Sequence, residues 1–111
     1  MGLDISVFDR NDVAIYEARL GNVGQITRIH HVLGQYPTLF PLILEKVTYS
    51  GAHCCDDIPA EDVGPLLKEA TRLGDHAIDA NDRDKLSIAA FAQTLKDACL
   101  IAIEHGTIIQ F

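Results

Sequence analysis

The sequence predicts an α+β fold: a small sheet formed by strands from the N- and C-termini, with three to four helices packed on it. Three observations carry this. The opening Leu3-Asp4-Ile5-Ser6-Val7-Phe8 alternates apolar with polar side chains, the period of a half-buried strand. Two long apolar stripes at helical spacing fill the second half of the chain. The closing stretch from Thr107 to Phe111 is β-branched and apolar enough for a final strand. Terminal strands must bury one face, and helices laid on that face give a two-layer architecture.

Taken in order, the first strand runs into the turn cluster Asp9-Arg10-Asn11-Asp12, and Val13 to Arg19 suits its hairpin partner. Gly21-Asn22 and Gly24 interrupt the chain. Beyond them Val23, Ile26, Ile29 or His30, and Leu33 recur at the spacing of one helical face, so a helix is expected from about Asn22 to Gln35. Pro37 and Pro41 frame a segment that reads two ways: a short helix from Thr38, or an extended exit through Lys46-Val47-Thr48-Tyr49. The next helix is marked by Val63, Leu66, Leu67, Ala70, Leu73 and Ala77, with Lys68, Glu69 and Arg72 outside the stripe. Pro59 and Glu61-Asp62 suit its first turn. The polar run from Asp79 to Asp84 ends that helix and offers N-caps for another, whose stripe is Ile88, Phe91, Ala92, Leu95, Cys99, Ala102 and Ile103. His105-Gly106 closes it, with glycine in the position that takes a left-handed backbone.

A chain of 111 residues, 48% hydrophobic and 23% charged, has the size and composition of a single globular domain spanning 1–111. Its longest near-uninterrupted apolar run, Leu39 to Leu44, is far short of the roughly 20 residues a bilayer requires, so no membrane association is expected. Gly2 followed by Ser6 formally fits a myristoylation pattern. Asp4, Asp9 and Asp12 stand where a basic patch would be needed, and the stretch reads better as a strand. The N-terminus has no secretory pattern, and three cysteines, two of them adjacent, do not resemble a disulfide framework, so a reducing cytoplasm is the expected location. The formal charge is −7, and nine acids between Asp56 and Asp84 face only Lys68, Arg72 and Arg83. Such an acidic balance repels phosphate backbones, and no basic stripe or nucleic-acid motif offsets it; nucleic acid is not an expected partner.

The densest chemistry lies in Tyr49-Ser50-Gly51-Ala52-His53-Cys54-Cys55-Asp56-Asp57. His53, Cys54, Cys55, Asp56 and Asp57 are the residue types zinc accepts, but adjacent cysteines diverge in an extended chain and neither Cys-x-x-Cys nor His-Glu-x-x-His occurs. Further ligands would have to come from His30, His31, His76 or His105, and His30 and His31 point about a hundred degrees apart on a helix. Cys55 lies close enough to a helix N-terminus for thiolate character, with His53 as a candidate base. Cys99, on an apolar stripe, belongs to the core. The Asp79 to Asp84 run is no calcium loop: counted from Asp79, Asp84 takes the glycine position and Ala90 the bidentate glutamate position. No phosphate-binding glycine motif is found, and no cofactor is expected, zinc being the one ion the residue types suit.

The start Met1-Gly2-Leu3-Asp4-Ile5-Ser6, with the ending Ile103-Glu104-His105-Gly106, resembles a group of small uncharacterised bacterial and phage proteins. The resemblance covers the two ends of the chain, implies a bacterial or phage source, and carries over no catalytic residue. Two functions are therefore weighed. The preferred one is a small acidic cytoplasmic domain that binds a protein partner or itself without catalysis, through the surface from Leu39 to Tyr49. The alternative is a small metal- or thiol-dependent enzyme centred on His53, Cys54, Cys55, Asp56 and Asp57.

Overall fold

Apolar residues at every second position turn one side of the N-terminal strand inward: Leu3, Ile5 and Val7 are fully buried. The computed structural model describes residues 2–48, 57–75, 78 and 80–111. Strand β1 (Gly2–Phe8) pairs antiparallel with β2 (Ala14–Asn22), the expected hairpin with its second strand extended to Asn22. The turn is held by the Asp9 carboxylate, which accepts the N–H groups of Asn11 (2.8 Å) and Val13 (3.0 Å). Asp12 takes the left-handed conformation at φ 61°, a conformation aspartate tolerates better than most side chains. Irregularities in the β1–β2 register leave Leu20 and Ile15 as bulged residues of β2.

Helix α1 (Val23–Leu33) follows β2 without a loop. Asn22 is both the last strand residue and the N-cap: its side chain accepts Gln25 N–H, and the Gln25 side chain accepts Asn22 N–H, the reciprocal bonds of a capping box. Ile26, Ile29, Val32 and Leu33 are buried, while Val23, expected on that face, is 37% exposed.

The ambiguous segment is helical, Pro41 and Leu42 leading into a π-helical turn over Ile43–Val47 closed by Thr48 N–H to Ile43 C=O at 2.9 Å. The extended exit is not formed through Thr48. Phe40, Ile43 and Val47 have no exposed surface, and the period that buries all three together is helical rather than alternating.

Helix α2 spans Ala60–Asp75 and α3 spans Asp82–His105; the two pack against each other. Asn81 caps α3 by accepting Asp84 N–H at 2.8 Å, and Gly106 ends it at φ 64°. By length and composition α3 is apolar enough to cross a bilayer, a property that a search for unbroken apolar runs overlooks because charged residues interrupt it. In this fold it is a core helix: Ile88, Phe91, Leu95, Cys99 and Ala102 are buried.

The C-terminal strand β4 (Ile109–Gln110) pairs with the free side of β1, and β3 (Asp57–Ile58) pairs with β4, giving the antiparallel order β2-β1-β4-β3. Strands from both termini thus share one sheet, as expected; the order places them side by side at its centre, and β3 adds an edge the sequence did not disclose. The buried apolar residues form one cluster. The acidic stretch is not wholly solvated, since Glu69 and Asp84 are among its buried members.

Candidate functional site

His53, Cys54, Cys55 and Asp56 lie outside the described residues, as do Tyr49 and His76. Asp57 is described: it is exposed on β3, opposite Gln110. Among the described residues no group of three or more His, Cys, Asp or Glu side chains converges as a metal site. His31 and His105 are exposed, whereas His30 is half-buried with Nδ1 2.8 Å from Thr48 Oγ1. Thr48 Oγ1 also lies 3.2 Å from Ile43 C=O, so the hydroxyl links the His30 ring to the carbonyl that closes the turn. This chain of bonds ties α1 to the end of the π-helical turn and gives His30 a structural role.

Cys99 is fully buried, and desolvation of its thiolate pushes the thiol up to about 12. It is a core residue and no nucleophile at neutral pH. In a Cys54→Ser/Cys55→Ser background, a disulfide-exchange reagent should leave native protein unmodified at pH 8 and react with one thiol once denaturant is added. Rapid labelling of the native protein would show that the site opens.

Over its described part, Leu39 to Thr48, the segment turns its largest apolar side chains inward instead of presenting the apolar surface expected of it. Phe40, Ile43 and Val47 point into the core, and Leu39, Leu42 and Leu44 are partly buried against it. Hydrophobic content alone does not distinguish a docking patch from a buried segment; the difference here lies in a residue of α2. Glu69 is 6% exposed, and its two carboxylate oxygens accept the N–H groups of Leu42 (3.1 Å) and Ile43 (3.0 Å), which no preceding turn can satisfy. Arg72, one helical turn on, donates to Leu39 C=O at 2.8 Å. Burial raises the Glu69 pKa above its ordinary value, opposed by the two backbone bonds and the Arg72 charge. The sequence does contain the signal: Glu69 lies three residues after Leu66 and four before Leu73, on the edge of the buried stripe.

Two clefts remain. One, of about 440 Å³, lies where α1 and α3 begin and is lined by Asn22, Gln25, Arg28, Asp84 and Ser87 among others. Its polar groups largely satisfy one another: Arg28 Nε meets Asp84 Oδ2 at 2.9 Å, and both asparagine caps are spent on their own helices. The other, of about 430 Å³, lies between the first turn and the C-terminal strand and includes Asp9, Asp12 and Thr107. The Asp9 carboxylate there is engaged by the turn, while the Thr107 hydroxyl is buried without a partner.

Among the described residues, the longer open edge of the sheet is that of β2. β2 has nine residues, yet on the side away from β1 no strand pairs with it among the described residues. A strand exposes an N–H and a C=O at every second residue along such an edge, groups that another strand can complete. Glu17 and Arg19 project from its solvent face, where Arg19 Nε lies 3.1 Å from Asp4 Oδ1 of β1. Val13, just before the strand, is 56% exposed. No protein-family model matches this chain, and no curated protein or solved structure matches it either.

Proposed function

We propose that this chain is a small acidic interaction module that works by self-association, with the outer edge of β2 as its contact surface and no catalytic step of its own. The observation that carries the reading is the outer side of β2, whose regular part, Tyr16 to Arg19, has no strand beside it among the described residues. Proteins blunt such edges with charged side chains, proline, bulges or covering loops; β2 carries Glu17, Arg19 and two bulges but, over Tyr16-Glu17-Ala18-Arg19-Leu20, neither lysine nor proline, and its mixed charges leave the edge open to a partner of complementary sign. Pairing the edge satisfies its backbone groups, and a two-fold contact closes on itself without propagating. Bulges at both ends of the stretch limit the contact, so the complex is small and reversible.

Sedimentation velocity from about 1 μM to about 1 mM, a span that covers weak reversible association, is the test. The expected result is a concentration-dependent shift from the 12.2 kDa monomer towards twice that mass. A species that stays at 12.2 kDa over the whole range would remove the reading.

A further inference from the structure

We propose that the self-association takes one register: β2 pairs antiparallel with β2 of a second copy about a two-fold axis through Ala18, so that Glu17 of each copy faces Arg19 of the other. The inference rests on the self-association reading and adds to it a specific geometry. The bulges at Ile15 and Leu20 leave Tyr16 to Arg19 as the regular part of β2, so pairing must centre there. Side-chain alternation then separates the two faces. Tyr16 and Ala18 lie opposite the buried Val7 and Ile5 of β1, on the helix side, while Glu17 and Arg19 lie opposite Ser6 and Asp4 on the solvent side.

If the helices of both copies are to share one side of a continuous sheet, the two-fold axis must pass through a residue rather than between residues. The regular part offers four centres, of which one through Tyr16 would set Glu17 against the bulged Ile15. An axis through Glu17 sets Glu17 against its own copy, and one through Arg19 sets Arg19 against its own copy; like charges directly opposed destabilise a sheet. An axis through Ala18 opposes Glu17 and Arg19 twice by symmetry. It also extends the observed Arg19–Asp4 pair into a row of alternating sign, Asp4, Arg19 and then Glu17 of the second copy. The charges thus select the register, and a second copy of this chain is the partner they complement.

Charge reversal on both sides of the pair tests this. Glu17→Arg alone places arginine against arginine twice, and Arg19→Glu alone places glutamate against glutamate twice. Each variant is expected to dimerise at least about tenfold more weakly than the unaltered chain. An equimolar mixture of the two is expected to form a heterodimer of near original affinity. In it the arginine introduced by Glu17→Arg faces the glutamate introduced by Arg19→Glu, and the unaltered Arg19 of the first variant faces the unaltered Glu17 of the second. Circular dichroism checks that each variant folds; should Arg19→Glu not fold, Glu17→Arg, which keeps the Arg19–Asp4 pair, decides by its own loss of affinity. A dimer that neither reversal weakens, or a mixture that does not recover, overturns the register while leaving self-association in place. A monomeric unaltered chain overturns both.

Discussion

Replacement of Glu69 by alanine is expected to lower the unfolding free energy by about 2–4 kcal/mol, read from the midpoint of a urea transition at constant slope. Both carboxylate oxygens of Glu69 are occupied by backbone N–H groups, those of Leu42 and Ile43, at the start of a helical segment that has no side-chain cap of its own. Alanine leaves two inward donors without acceptors, and an unmet buried donor costs about 1–3 kcal/mol. The same residue gives the stability a pH dependence. Its folded pKa is raised, chiefly by desolvation, so its contribution is fully present below the unfolded value near 4.5 and is lost as pH rises through the folded value. Glu69→Gln keeps one acceptor and cannot ionise. The stability of the unaltered chain relative to Glu69→Gln should therefore fall as pH is raised from about 4 towards neutrality. A difference that is flat with pH would show that the ionised carboxylate is not penalised by its site.

The elements that local chemistry dictates were legible in the sequence. The β1 alternation, the stripes of α2 and α3, the start of α1 near Asn22 and Gly106 at the end of α3 each follow from a short window of residues, and each is present. What depended on distant partners was not legible. Leu39 to Thr48 is apolar enough for a docking surface or a core segment, and the choice is made by Glu69, more than twenty residues further on. Glu69 sits on the edge of the buried stripe, which hints at burial, but its partners are backbone groups of a distant segment, and those carry no sequence signature. β3 has two residues, and its existence depends on the register of β4 beside it. The β2 edge was visible as a strand, but its position at the outside of the sheet is a property of strand order, which pairwise patterning does not encode. The chemically dense segment from His53 to Asp56 lies outside the described residues, so only Asp57 of that candidate site is placed.

Phe40→Ala is expected to cost about 3–5 kcal/mol, the largest effect of any substitution considered. Phe40 has no exposed surface, and its ring meets Tyr36 edge to face with centroids 6.4 Å apart at 78°. Its backbone is committed as well: its N–H donates to Tyr36 C=O at 3.3 Å and its C=O accepts Leu44 N–H at 3.0 Å. The ring therefore anchors the segment from its N-terminal side while Glu69 anchors it two residues further on. Two fastenings of one short segment should not act independently. Once either is removed the segment loosens, and the second then has less native geometry left to hold. The Phe40→Ala/Glu69→Ala double variant should accordingly lose less than the sum of the single losses, by about 0.5–3 kcal/mol. Additivity within about 0.5 kcal/mol would show instead that Phe40 fills the core without regard to how the segment begins, and that the carboxylate cap acts only on its own two N–H groups.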